Sequence, residues 1–190
     1  MSEPSIRDTR AAQMFPTLSD AEITRLRRLG DVREFATGEA LAKVGQTGLG
    51  LTIILSGHVA ITQRLKNGQT DLIVTHGPGS FMGELAQLSG RPSLVDAQAV
   101  GAVSVLMIPP GQLRALLMAE AELGERIMRA LILRRVGLIE MGSGGPVLIG
   151  APSSPDMARL RSFLTRNGIP HLVFDPASDP DAHEIGRAHV

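Results

Sequence analysis

The residues with the clearest chemical potential lie between Ser80 and Ser93, in the sequence SFMGELAQLSGRPS. A glycine-bounded strand end is predicted to run there into a short helix that begins near Glu84. Free backbone N–H groups at a helix N-terminus attract an anion, and Gly83 would let a ligand approach the backbone. The carboxylate of Glu84 is suited to accept a hydrogen bond from a sugar hydroxyl. The pattern indicates either a site for an anionic, sugar-bearing ligand or a capped helical turn inside a β-barrel.

Several other kinds of site are excluded or disfavoured by composition and spacing. The 190 residues contain no cysteine, which removes disulfides, thiolate zinc sites, iron–sulfur clusters and cysteine nucleophiles. The five histidines lack metal-ligand spacing, and no Ser–His–Asp order suggests a triad. Residues 142–145 (GSGG) lack the lysine of a phosphate-binding loop and are interpreted as a linker. We therefore expect no metal, no bound cofactor and no catalytic residues in this chain.

The expected partner is a small-molecule ligand, and the charge balance removes the bulk electrostatic argument for nucleic acid or membrane. Nineteen basic and nineteen acidic side chains give a net charge of zero, which argues against DNA and against an anionic membrane surface. The longest apolar runs, such as LTIIL at 51–55, are too short to span a bilayer. The N-terminal sequence MSEPSIRDTRAAQ lacks the apolar core of a signal peptide, so we expect a cytoplasmic protein.

A mainly β fold is predicted for the first two thirds of the chain. A leading helix is expected after an N-cap at Ser19, ending at Gly30, and short β-type runs punctuated by glycine follow from 32 to 109. Turns are predicted at Ser56-Gly57-His58, Lys66-Asn67-Gly68-Gln69 and Gly77-Pro78-Gly79. This spacing is typical of a jelly-roll β-barrel, flanked here by helices at its N-terminal and C-terminal ends.

A long helix is predicted at 122–141, and it is apolar around much of its circumference. One stripe contains Ile127, Leu131, Leu138 and Met141 and is interrupted by Arg134; the other contains Met128, Ile132 and Ile139 and is interrupted by Arg135. A helix of this kind needs two partners. We interpret one as the barrel and the other as a second copy of the chain, which predicts a homodimer through this helix with Ile127 at its seam.

Residues 146–190 are predicted to form a partial α/β unit with a flexible tail. PVLIG and HLVFD are typical of strands, and SSPDMARLRSFLTRNG is typical of a helix with Ser154 as N-cap and Pro155 at its first position. A strand–helix–strand segment of this length favours two parallel strands. Because such a unit buries little core alone, we expect it to be ordered only by docking.

Residues 15–141 resemble a cyclic-nucleotide-binding domain of the catabolite-activator type. The leading helix, the hairpin around Ile54–Val59, the Gly77–Phe81 turn, the Gly83–Ala86 element and the long helix carry the resemblance. It implies a jelly roll that binds a cyclic nucleotide, with regulation rather than catalysis as its role.

The Gly-Glu-Leu-Ala element is similar to the phosphate-binding cassette of that family. The resemblance implies that Glu84 holds the ribose 2′-hydroxyl and that the amides of Gly83 and Leu85 face the ligand. Ser93 stands where the family has the arginine that pairs with the phosphate, which predicts weakened cAMP binding. The full set of residues predicted to bind the ligand is Gly83, Glu84, Leu85, Ala86, Arg91, Ser93 and Leu94.

Residues 146–185 resemble the region that joins such a sensor to a thioredoxin-reductase-like flavin domain, and also the opening βαβ of a thioredoxin fold. The run FLTRNGIP at 163–170 carries the first match. The redox cysteines of a thioredoxin would fall near Ser153 and Ser154, so dithiol chemistry is excluded here.

Together these resemblances imply that the chain is the regulatory part of an FAD- and NADP-dependent oxidoreductase whose cofactor sites lie beyond residue 190. Two alternatives remain open. One is the sensor domain of a transcription regulator, and the other is a dimerisation module with a vestigial pocket.

Overall fold

The computed structural model describes residues 6–47, 50–64, 70–83, 92–140, 146–169 and 171–179. The chain divides into two compact units. The first contains Met1–Gln63 and Leu72–Gly137, and the second contains Arg64–Asp71 and Leu138–Val190.

The main chain begins with two helices and continues into a sheet. Helix α1 is Ile6–Met14 and α2 is Asp20–Leu26, followed by a 3₁₀ turn at Arg27–Leu29. The strands are β1 Asp31–Phe35, β2 Ala40–Ala42, β3 Leu51–Arg64, β4 Thr70–His76, β5 Phe81–Met82 and β6 Asp96–Ile108. Helices α3 (Pro110–Ala119) and α4 (Ala121–Glu140) follow them.

The six strands form one sheet in the order β1-β6-β3-β4, with β2 also paired to β6 and β5 to β3. Strand β6 pairs antiparallel with β1, β2 and β3, and β3 pairs antiparallel with β5. The antiparallel sheet flanked by helices therefore confirms that part of the predicted fold. Closure into a barrel is not observed in the described part of the chain, because β1 and β4 stand at opposite ends of the strand order and do not pair with each other.

The predicted turn at Ser56-Gly57-His58 is wrong, because these residues lie inside the fourteen-residue strand β3. The register with β6 shifts on both sides of Ser56, as in a β-bulge. Gly57 has φ +79°, and a Cβ there would lie 2.2 Å from the carbonyl oxygen of Ala102. Glycine is therefore required for the bulge rather than for a chain reversal. The predicted Asn67-Gly68 turn lies outside the described residues.

The core of the first unit lies between one end of the sheet and three helices. Fully buried side chains come from α2, β3, β5, β6, α3 and α4, among them Leu26, Phe81, Leu116 and Ile127. The stripe of α4 that contains Ile127 and Leu131 faces this core. On the second stripe, Met128 is half-buried and Ile132 is 44% exposed. The structure thus shows which of the two predicted stripes packs inside its own domain.

Helix α2 begins as predicted, with a reciprocal capping box between Ser19 and Glu22. The Ser19 amide donates to Glu22 Oε2 at 2.8 Å, and Glu22 Oε1 accepts from Arg126 Nη2 of α4 at 2.5 Å. Partial burial raises the pKa of Glu22, but the bonds from Ser19 and Arg126 outweigh it and leave the pKa below its usual value of 4.5. This carboxylate therefore links the start of α2 to α4.

Because its folded-state pKa is lowered, Glu22 contributes stability that is present above its unfolded pKa and is lost as the pH falls through the folded value. We expect Glu22→Gln to lower the free energy of unfolding by about 1 kcal/mol at pH 7, and by less as the carboxyl becomes protonated. Urea titrations at pH 7 and pH 3 measure the difference. Glu125→Gln is the matched control, because Glu125 is 68% exposed and pairs with Arg129 on the same helix. An equal loss at both pH values would contradict the linkage.

The second unit contains a parallel strand–helix–strand segment. Strand β7 is Val147–Ile149, helix α5 is Pro155–Arg166, and β8 is Leu172–Phe174. The two strands pair in parallel, with Val147 opposite Leu172, which confirms the predicted pairing. Ser154 is the N-cap of α5 as predicted, although its side chain makes no capping hydrogen bond. The start of the predicted flexible tail is a turn in which the Asp179 amide donates to the Asp175 carbonyl at 2.8 Å.

Candidate ligand-binding site

The Gly83–Ala86 element directly follows β5 in sequence. Strand β5 has two residues, which pair with Thr52 and Ile53 of β3. The preceding turn at Gly77-Pro78-Gly79 forms as predicted, with the Ser80 amide donating to the Gly77 carbonyl at 3.0 Å. A hydrogen bond ties this turn to the N-terminal segment, because the Leu18 amide donates to the Gly79 carbonyl at 2.8 Å. These bonds fix the chain up to Gly83.

Gly83 is the first residue of the predicted ligand set and the last described residue before position 92. Its φ of +146° is in the range that favours glycine. Its carbonyl accepts a hydrogen bond from Arg134 Nη1 at 3.3 Å. The next members of the predicted set, Glu84, Leu85, Ala86 and Arg91, lie outside the described residues, so their predicted roles stay predictions.

Ser93 lies near the other end of the predicted ligand-binding segment, which runs from Gly83 to Leu94, and anchors it by hydrogen bonds. Its amide donates to the Gln46 carbonyl at 2.7 Å, and its own carbonyl accepts from the Gly45 amide at 2.9 Å. The hydroxyl donates to the Val95 carbonyl at 2.9 Å, and the residue is only 3% exposed. A serine hydroxyl has one proton to donate. That proton is therefore already used locally and is not directed to a ligand. Leu94, the last member of the predicted set, is half-buried.

A buried cation lies on the core side of β5 and Gly83. Arg134 of α4 is 8% exposed, and its guanidinium donates to the carbonyls of Met14 and Phe81 at 2.8 and 2.9 Å as well as to Gly83. The Phe15 and Phe81 rings lie 5.2 and 4.7 Å from the guanidinium carbon. Arg134 therefore joins the end of α1, β5 and the start of the predicted cassette.

The charge state of this cluster follows from its burial. Burial lowers the pKa of Arg134 to about 9, so the guanidinium stays protonated at neutral pH. His76, whose ring lies 5.7 Å from that of Phe15, is also buried. Burial first, and then the positive charge of Arg134, lower the pKa of His76 to about 3. The cluster thus carries one positive charge, on Arg134.

The sequence interpretation missed the role of Arg134, which it treated only as an interruption of an apolar stripe. The available signal was its spacing. Arg134 follows Ile127 by seven residues, so both lie on one face of α4, and Ile127 is fully buried. A charged residue on a buried face needs polar partners, and here they are backbone carbonyls.

The sequence also predicted no metal site and no membrane-spanning helix, and the described residues can be compared with both expectations. Within the ranges that the structure describes, no three histidine or acidic side chains are grouped so that they could hold a metal ion. Among the helices of those same ranges, none combines the length and the apolar character that crossing a bilayer requires.

Known proteins match this chain in a region that lies mainly in the first unit. The family model described as the cyclic nucleotide-binding domain matches residues 32–120. The chain is 27% identical over 123 residues to the CRP-like cAMP-activated global transcriptional regulator of Mycobacterium tuberculosis, covering 65% of this chain and 55% of that relative. It is 30% identical over 89 residues to the cAMP-dependent protein kinase regulatory subunit of Mycosarcoma maydis, covering 47% of this chain and 17% of the relative.

The solved structure of the Thermus thermophilus catabolite activator protein superimposes with a TM-score of 0.56 at 22% identity, covering 65% of this chain and 58% of that one. The chain thus spans about half the length of the regulators that it matches. Residues 32–120 thus match the cyclic nucleotide-binding domain, and this part of the chain shares the fold of the catabolite activator protein.

Proposed function

We propose that the first unit is a regulatory sensor that binds a cyclic nucleotide, or a related anionic nucleotide, at the segment from Gly83 to Leu94. The observation that carries the proposal is the family match over residues 32–120, because it includes this whole segment. The hydrogen bonds of Gly83 and Ser93 support it, since they anchor the two ends of the segment to separate parts of the domain.

The expected affinity for cAMP is weak. Ser93 supplies no positive charge, and its hydroxyl proton is donated to Val95. A lost charge-assisted bond to phosphate costs about 1.5–3 kcal/mol, roughly ten- to a hundredfold in affinity, and we expect a dissociation constant of about tens of micromolar or worse. Isothermal calorimetry with cAMP on the whole chain measures it, and Glu84→Ala should abolish the binding. Glu125→Ala, an exposed acid on α4, is the control. If cAMP at millimolar concentration gives no heat, the vestigial-pocket alternative replaces this proposal.

We propose the activity of the whole protein, of which this chain would be the regulatory part, from a different observation. That observation is the parallel strand–helix–strand formed by β7, α5 and β8. This order of elements is common to α/β domains and differs from a helix-turn-helix. The difference favours an oxidoreductase over a transcription regulator as the whole protein. FAD and NADP would then bind beyond residue 190. A strand–GxGxxG–helix sequence soon after that residue in the gene would support the proposal, and a stop codon there would contradict it.

The absence of a DNA partner stays a prediction. The Mycobacterium tuberculosis relative is named a transcriptional regulator, and this chain spans only 55% of its length. Electrophoretic mobility of DNA with the whole protein at low salt would decide the question. The cytoplasm is the proposed location, and the lack of cysteine is compatible with it.

We also propose that two copies associate along the exposed stripe of α4. Ile132 is a large apolar side chain that is 44% exposed at the middle of the helix, and Met128 one turn earlier is half-buried. An apolar stripe of this kind is typical of a helix that packs against another helix. The predicted partner is the same stripe of a second copy.

A further inference from the structure

Helix α5 carries large apolar side chains that its own unit leaves uncovered. The helix packs inward through Met157 and Leu164, which are both buried. Leu160 and Phe163 are one turn apart on another side of the helix, and they are 50% and 60% exposed. Two large apolar side chains next to each other on a surface are typical of a contact with another molecule.

Arginines border this apolar pair. Arg159 lies four residues before Phe163 and Arg166 lies three residues after it, so the three share one side of the helix. The only acid on α5 is Asp156, which is 3.4 Å from Arg159 in an exposed pair. A partner that complements this surface carries acidic and apolar side chains together. We call this surface the α5 face, and it consists of Arg159, Leu160, Phe163 and Arg166.

The first unit has a surface of that complementary kind where α3 ends and α4 begins. Met118 is 88% exposed, and its flexible thioether side chain adapts readily to a contact. Glu122 and Glu125, three residues apart near the start of α4, are both exposed. Glu125 precedes Ile132 by seven residues, so it lies on the same side of α4 as the stripe proposed for the homodimer. We call Met118, Glu122 and Glu125 the Met118 surface.

We propose that, in a homodimer, the α5 face of each copy docks on the Met118 surface of the other copy. The arginines of the α5 face then meet Glu122 and Glu125, while Leu160 and Phe163 cover Met118. Two-fold symmetry makes this contact twice in each dimer. The inference rests on the homodimer proposed above, but it uses surfaces other than the Ile132 stripe and requires no ligand.

The test reverses one charge on each surface and then mixes the two variants. Arg166→Glu and Glu122→Arg should each raise the dissociation constant of the dimer roughly tenfold, measured by sedimentation of the whole chain at low salt. In each variant alone, both contacts bring like charges together. In a mixed dimer of the two variants, both contacts join opposite charges again. An equimolar mixture should therefore associate within about twofold of the wild type.

Two control variants carry the same chemical changes away from both surfaces. Arg33→Glu, at an exposed position of β1, should associate like the wild type. Phe163→Asp should weaken association, whereas Val100→Asp should not, because Val100 is 53% exposed on β6. All of these side chains are exposed, so circular dichroism should show that every variant remains folded.

The possible failures are distinguishable. If the wild type is a monomer, both the homodimer and this contact are overturned. If the wild type is a dimer and Arg166→Glu associates equally well, only this contact is overturned, which is also the result expected if the α5 face binds a different acidic protein. If each variant is weakened but the mixture is not restored, the two surfaces do not meet between copies, and the inference fails.

Discussion

Ile127→Glu is expected to unfold the first unit, whereas Ile132→Glu is expected to leave it folded and to separate the two copies of a dimer. The two residues lie on different faces of α4. Ile127 is fully buried in the core formed by α2, the sheet and α3, while Ile132 is 44% exposed. A carboxylate placed in the core has no partner there and costs about 4–5 kcal/mol or more, which is most of the stability of a small domain.

Circular dichroism and analytical ultracentrifugation at tens of micromolar protein distinguish the two effects. Ile127→Glu should lose its cooperative thermal transition. Ile132→Glu should keep that transition, shifted by a few degrees at most, and sediment as a monomer while the wild type sediments as a dimer. Arg129→Glu, on an exposed part of the same helix, controls for added negative charge.

A monomeric wild type would contradict the dimer, and a dimeric Ile132→Glu would show that α4 associates through another face. The sequence alone pointed to Ile127 as the residue at the dimer seam. That choice is wrong because periodicity identifies which residues share a face but not what covers the face. Burial in the folded unit decides it.

Signals that act within a few residues were predicted well. The N-cap of α2 at Ser19 was predicted from its adjacent residues, as was the turn at Gly77–Gly79, and the structure adds the reciprocal bond from Glu22. The parallel pairing of β7 with β8 also follows from local information, because a helix between two strands returns the chain in the same direction.

Features set by distant residues were predicted poorly. Gly57 needs a positive φ, but both a turn and a bulge require this, and the choice depends on how β3 pairs with β6. The same long-range pairing leaves β1 and β4 as the ends of the sheet. Arg134 is the clearest case in the candidate site, since its partners Met14 and Phe81 are 120 and 53 residues away in sequence.

The second large effect is expected at Ser93, where replacement by arginine should tighten cAMP binding about tenfold or more. The backbone bonds of Ser93 with Gln46 and Gly45 do not involve its side chain, so the substitution preserves that anchor. What is lost is the hydroxyl bond to Val95, worth about 1 kcal/mol. What is gained is a cation at the position that the resemblance to a cyclic-nucleotide-binding domain assigns to phosphate pairing.

Because residue 93 is 3% exposed, the new guanidinium is costly to hold without an anion. Ser93→Arg should therefore unfold at a lower temperature than the wild type when cAMP is absent, and show a larger rise in Tm when cAMP is added. Ser93→Met is the matched control, since it has a long side chain without charge and should show the loss without the gain. Calorimetry and thermal unfolding with and without cAMP measure both effects.

Three results would lead to different conclusions. If Ser93→Arg and Ser93→Met bind cAMP equally, the phosphate does not approach residue 93. If the wild type already binds below micromolar and Arg91→Ala abolishes this, the cation for the phosphate is Arg91. If Ser93→Arg binds tenfold more tightly while Ser93→Met does not, the pocket is intact except for its missing charge. The last result is the one we expect, because Gly83 and Ser93 both remain anchored by hydrogen bonds that do not depend on the side chain at position 93.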